Sequence, residues 1–257
     1  MVLMDFSGVY EEQEFWKEKR NGKEENIFIL NLRNLSGCSC YCDGEAAAFL
    51  RKQISPLPVR DIHFLDSGNY HYMSRLWMEK AENPFQLAVL DHHTDMQPPV
   101  FGGLLSCGGW VASSAEELSL LQSVLLIGPP SEDFLALPEA AREKASLFGM
   151  EDLETENWKR KLHCFLEKEL QPGLPLYLSL DKDLLSEQVL QTNWGQGTMG
   201  KEQLFSILEE ILAMASVLGI SLAGVDICGE NDANAPVSRD AGDELNGELL
   251  SYFRRFL

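Results

Sequence analysis

The fold is decided by residues 86–95, QLAVLDHHTD, in which a short apolar run stops abruptly at Asp91, His92, His93, Thr94 and Asp95. A run of this length bounded by polar residues suits a strand buried on both faces, as in a parallel sheet. In open parallel sheets ligands gather beyond the carboxyl ends of the strands, so chemistry is expected in the residues that follow the run. Working outward, similar runs occur as IFILNL from Ile27, IHFL from Ile62, SVLLIG from Ser123, LYLSL from Leu176 and LAGVDI from Leu222. VLMDF from Val2 and SLFGM from Ser146 are weaker candidates, which brings the expected total to seven or eight strands. Between them lie segments with apolar residues spaced by three and four, such as GEAAAFLRKQI from Gly44 and KEQLFSILEEILAMASVLG from Lys201, which predict helices. The segment from Ser131 to Lys168 is rich in charge and reads as surface helices, with His163 on an exposed face. Strand and helix alternate, so the expected class is α/β, with a mostly parallel sheet covered by helices on both sides.

The composition narrows the function. At 257 residues, 45% hydrophobic and 24% charged, the chain has the make-up of a globular protein, and with no internal repeat or proline-rich linker one domain, 1–257, is expected. A formal net charge of −19 argues against nucleic acid as a partner, since tracking phosphates needs a basic face. No segment approaches the roughly 18 unbroken apolar residues of a membrane span. The start, MVLMDFSGVYEEQEFW, lacks a basic n-region, so a cytoplasmic location is expected. Of the six cysteines, Cys38, Cys40 and Cys42 crowd into CSCYC; in that compartment they are expected to be reduced, as packing or loop residues rather than a metal or redox site.

Three runs end in potential metal ligands: Asp91, His93 and Asp95 after QLAVL, Asp181 and Asp183 after LYLSL, and His71 at the end of DSGNYH after IHFL. In extended backbone alternate side chains share a face, so Asp91, His93 and Asp95 are expected to converge while His92 and Thr94 turn aside. Asp181 and Asp183 have the same relation, with Lys182 pointing away. Any one such pair is more often a cap or a solvated turn than a ligand set. Gathering all six without a cation is electrostatically costly. Mixed oxygen and nitrogen donors suit manganese, with iron, cobalt or zinc as other occupants, and no sulfur is expected among them.

At these residues the sequence resembles the arginase and agmatinase family of ureohydrolases, which also includes formiminoglutamases. DHHTD at 91–95 matches its D-x-H-x-D motif, and SLDKD at 179–183 its S-x-D-x-D motif. GNYH at 68–71 and the glycine-rich NWGQGTMGKEQL from Asn193 are looser counterparts, so the likeness runs from about residue 60 to residue 230. The resemblance implies a three-layer α/β/α domain with about eight strands and two manganese ions. His71 and Asp95 would hold the first ion, His93 and Asp183 the second, and Asp91 and Asp181 would bridge. It implies a hydroxide between the metals that attacks a guanidinium or formimino carbon of a small-molecule substrate, with Asp95 passing a proton to the leaving amine. Family members commonly form trimers or hexamers, so homo-oligomers are in view.

The match departs from the family at two places. SCGGW at 106–110 puts Cys107 where members carry a histidine, and DICGE at 226–230 puts Gly229 where they carry a carboxylate, with Glu230 one residue late. Cys107 and Glu230 are therefore candidate catalytic residues, and Gln97 and Trp110 candidate pocket residues. The alternative is a catalytically inactive relative that keeps metals for structure or ligand sensing. A deacetylase sharing the broader fold fits less well, because it needs one catalytic metal where this chain offers ligands for two.

Overall fold

A computed structural model describes residues 1–17, 27–98, 102–232 and 236–257. Among these lie ten strands: β1 Val2–Asp5, β2 Phe28–Asn31, β3 Tyr41–Cys42, β4 Ile62–Phe64, β5 Phe85–Leu90, β6 Leu105–Ser106, β7 Leu121–Ile127, β8 Ala145–Phe148, β9 Leu176–Asp181 and β10 Leu222–Cys228. Eight of them form one sheet in the order β2-β1-β4-β10-β9-β5-β7-β8, and every neighbouring pair is parallel. β3 and β6 make a separate antiparallel pair that the sequence did not announce.

The three layers follow from strand periodicity. Along β5, Ala88 and Leu90 enter one hydrophobic cluster while Leu87 and Val89 enter the other; along β7, Leu125 and Ile127 separate in the same way from Val124 and Leu126. Because both alternating sets are apolar, both faces of the sheet must be covered. One face packs against the helices Trp158–Glu169, Lys201–Val217 and Pro236–Phe253, the other against Gly44–Ile54, Met73–Met78 and Trp110–Glu117. In Lys201–Val217 the buried residues Leu204, Ile207, Leu208, Ile211, Leu212 and Ala215 repeat at three and four, forming one stripe. Each such leucine or isoleucine contributes roughly 1.5–3 kcal/mol by leaving water. The helix stops before Gly219, whose φ of +66° suits a residue without Cβ.

One of the weaker strand candidates lies inside the sheet, and one of the six clearer runs lies at its edge. VLMD is buried throughout and lies between β2 and β4, whereas IFILNL supplies an edge strand with Ile29 48% exposed. The run at Ile27 was long and apolar, but pairing on one side only leaves its side chains uncovered. The charged segment 131–168 does hold surface helices, together with the other edge strand, β8. No helix among the described residues is long and apolar enough to cross a membrane. In the centre of the sheet, β4, β10, β9 and β5 are consecutive, so their carboxyl ends open on one crevice.

Candidate metal centre

All six expected ligands meet at that crevice, though by a different route from strand alternation. β5 ends at Leu90, and Asp91 to Met96 run as bends and irregular backbone, with Asp95 at φ +50°. Asp91 begins the turn by accepting the His93 backbone N–H at 2.6 Å. Asp95 ends it: the Trp110 indole N–H donates to Asp95 Oδ2 at 2.6 Å, and the Val111 N–H donates to the Asp95 carbonyl at 3.0 Å. Likewise Asp181 closes β9 and accepts the Asp183 N–H at 2.9 Å, so a 3-10 turn, Lys182–Leu184, brings Asp183 round beside it. His71 follows a short 3-10 turn, Gly68–Tyr70. The expectation of extended backbone is therefore corrected: short polar turns locked by their own aspartates produce the convergence.

Donor atoms of His71, Asp91 and Asp95 lie within 4.8 Å of one another, and so do those of Asp91, His93 and Asp183. Asp91 is common to both sets, as a bridging carboxylate requires. His71 is buried, and its Nδ1 lies 2.9 Å from Asp95 Oδ2, 3.2 Å from Asp91 Oδ2 and 3.6 Å from Asp181 Oδ2, yet it makes no hydrogen bond. Its Nε2 faces the Ser179 hydroxyl at 2.8 Å, which leaves Nδ1 aimed at the carboxylates. A buried imidazole nitrogen surrounded by carboxylate oxygens without a hydrogen bond is the arrangement a divalent cation satisfies. On the other side His93 Nδ1 lies 2.9 Å from Asp183 Oδ2 and 3.5 Å from Asp91 Oδ1.

The protonation pattern agrees. Burial, then the charge of Asp91, pushes the Asp183 carboxyl up to about 7. Burial and Asp183 likewise raise Asp181. Burial pulls His93 down, but Asp183 and Asp91 more than offset it and hold the imidazole at about 11. Without a cation the cluster keeps protons that a cation would displace.

The centre floors a cavity of about 230 Å³ whose walls include Cys40, Tyr41, Gln97, Ser106, Cys107 and Trp194. Gln97 is thus at the cavity, whereas Trp110 lies behind Asp95 and positions it. Gly197 keeps the glycine-rich segment close, since a Cβ there would stand 2.4 Å from the Leu184 carbonyl oxygen. His92 is not in either donor set; its side chain faces a second cavity beside Gly197 and Leu184.

Of the two candidate catalytic residues outside the ligand set, Cys107 is at the cavity and Glu230 is not. Cys107 does line the cavity, but burial and the nearby Asp95 push its thiol far above its ordinary value, so it is a neutral wall group and not a base. Glu230 is absent from the cavity. It is buried on the far side of the strand ends, where it pairs with the Lys182 ammonium and accepts from Asn246 Nδ2 at 2.6 Å and Gln13 Nε2 at 2.9 Å. Its charge is spent on Lys182, so it offers nothing to a substrate. Nor can Gly229 substitute: its φ is +93° and a Cβ would stand 2.4 Å from Asp181 Oδ1. His163 is a surface residue paired with Glu210, and Cys38 and Cys42 are buried with free thiols.

Sulfur, expected to be absent, is present at the centre. Cys228 Sγ lies 3.0 Å from Asp181 Oδ2, and His71, Asp181 and Cys228 form a third compact donor set. The rule that found Asp181 at the end of its strand would have found Cys228 at the end of LAGVDIC.

No family model matches the chain. An uncharacterized protein of Thermotoga maritima is 25% identical over 267 residues, covering 97% of this chain and 87% of that one. Among solved structures, the proclavaminate amidino hydrolase of Streptomyces clavuligerus is similar with a TM-score of 0.68 and 16% identity, over 90% of this chain and 77% of the other. The formimidoylglutamase of Bacillus subtilis gives 0.67 and 10%, over 99% and 86%. A triple mutant of a T. brucei arginase-like protein, bound with Mn2+, gives 0.59 and 16%, over 97% and 89%. The chain thus has the arginase-type, ureohydrolase fold in a divergent form, as its motifs implied.

Proposed function

We propose that this chain is a metal-dependent hydrolase of a linear C–N bond in a small amidino or formimino compound. The observation that carries the reading is the buried His71 Nδ1, which makes no hydrogen bond and faces Asp91, Asp95 and Asp181 at the floor of a cavity. His71 and Asp95 would hold one divalent ion, His93 and Asp183 a second, with Asp91 and Asp181 shared. When bound, such a pair lowers the pKa of a water molecule and offsets charge developing at an sp2 carbon. The proclavaminate amidino hydrolase, the formimidoylglutamase and the arginase-like protein support this class through their shared fold. Manganese, iron, cobalt and zinc all suit the oxygen and nitrogen donors.

The chain's own residues set the remaining chemistry. Trp110 fixes Asp95 Oδ2, leaving the carboxylate oriented to take a proton and return it to the leaving amine. The Cys107 and Gln97 side of the wall is neutral, and Glu230 is engaged elsewhere, so among the described lining residues a free guanidinium meets no carboxylate outside the ligand set. That favours a substrate with a neutral group in this part of the cavity over arginine or agmatine. A panel of guanidino, amidino and formimino compounds, assayed for urea or ammonia release by metal-loaded protein, tests the reading. Turnover of a compound without a guanidinium tail is expected. Metal-loaded protein that turns over no member of the panel would favour the second reading, a metal-holding or ligand-sensing protein, to which Gly229 and Cys107 point.

A further inference from the structure

We propose that Cys228 is a thiolate ligand of the ion held by His71, and that this sulfur draws the centre towards zinc, iron(II) or cobalt(II) and away from manganese. The inference rests on the metal-dependent reading above and deepens it. Cys228 is the last residue of β10 and is in register with Asp181, the last residue of β9, so the two side chains stand on the same side of the sheet. Both are buried, with Sγ 3.0 Å from Asp181 Oδ2. Donor atoms of His71, Asp181 and Cys228 all fall within 4.8 Å, and His71 Nδ1 has no hydrogen-bond partner. One observation places sulfur at the centre; the other marks a buried nitrogen there, close to three carboxylates, that no protein hydrogen bond satisfies.

The next residue explains why sulfur occupies this position. Gly229 turns at φ +93°, with no room for a Cβ beside Asp181 Oδ1, so no longer side chain can reach in from there. Cys228, one residue earlier, supplies a donor from this strand end. Binding breaks the S–H bond and forms a metal–sulfur bond; the proton is released to solvent, with no redox change. A thiolate among oxygen and nitrogen donors favours the softer divalent ions.

The test uses the full chain loaded with zinc alone and read by X-ray absorption at the zinc edge. A sulfur scatterer at about 2.3 Å is expected. It should vanish in Cys228→Ser and persist in Cys107→Ser. In competition between zinc and manganese, Cys228→Ser should shift the bound ratio towards manganese by roughly tenfold, on the scale by which residues around a metal tune its affinity. Zinc bound with only oxygen and nitrogen neighbours would overturn the inference and leave the hydrolase reading standing; sulfur that survives Cys228→Ser would overturn it too. Protein that retains no zinc would overturn both. Where Cys228→Ser does not fold, cobalt-loaded wild-type protein decides: a near-ultraviolet sulfur-to-cobalt band supports the proposal, and its absence overturns it.

Discussion

Adjacent residues of one short segment, Asp181 and Lys182, enter two buried polar clusters of opposite character. Lys182 points to Glu230, which also receives Gln13 and Asn246, so every charge there has a partner and its hydrogen bonds are made. Asp181 enters the cluster of Asp183, Asp91, Asp95, His71 and His93, where no lysine or arginine is among the described lining residues of the cavity and His71 Nδ1 makes no hydrogen bond. A buried ion pair completes itself with protein groups, whereas a ligand set is recognised by what protein groups do not complete. Turning over from one residue to the next at the end of β9 lets the same segment serve both.

The largest effect is expected where the closed cluster is broken. Lys182→Met leaves Glu230 buried and uncompensated and should cost about 3–5 kcal/mol in denaturant unfolding. Adding Glu230→Leu should restore much of this, because the charge is then gone from both sides. If Lys182→Met is as stable as the parent, the two clusters do not differ in the way described. Asp91→Asn and Asp181→Asn should do the reverse, removing metal binding; in Asp181→Asn the metal-free protein should be as stable or more stable, since a carboxylate disfavoured by burial and by Asp183 is lost. Calorimetric melting with and without metal checks both halves.

Smaller effects sharpen the comparison. Trp110→Phe removes the 2.6 Å hydrogen bond to Asp95 and should weaken metal affinity by about 10–100-fold without unfolding the protein, measured by metal titration. The pH dependence follows from Asp183, raised to about 7, and His93, raised to about 11. Each contributes stability that is present below its unfolded value and lost as pH rises through its folded value. Metal-free protein should therefore lose stability from about pH 4 upwards, through 7 for Asp183 and towards 11 for His93. Metal affinity should strengthen over the same range as protons leave, and a metal affinity independent of pH would contradict the proton-holding cluster. The smallest change is expected from His92→Ala, whose ring belongs to none of the three donor sets; metal loss equal to that of His93→Ala would show that the two histidines are not distinguished as the structure distinguishes them.

The sheet was readable because β5, β7, β9 and β10 are apolar on both faces, which few other structures require. The edge at β2 misled because an apolar run does not record whether a neighbour covers it. The two-residue strands Tyr41–Cys42 and Leu105–Ser106 are too short to have a period at all. In the site, the order of Asp91, His93, Asp95, Asp181 and Asp183 was legible through motif spacing, though the turns that gather them were not. Glu230 misled because nothing local shows that Lys182, Gln13 and Asn246 meet it from distant parts of the chain. Trp110 was noticed only as a pocket candidate, since its bond to Asp95 depends on the positive φ that ends the turn.

The central claim is that the Asp91 cluster is built for divalent cations, and the most direct measurement is metal content after equilibrium dialysis, by elemental analysis. Wild-type protein is expected to retain two ions per chain, His92→Ala the same, and Asp91→Ala none. Wild-type protein that emerges without metal, or Asp91→Ala that holds as much as the parent, would contradict the account.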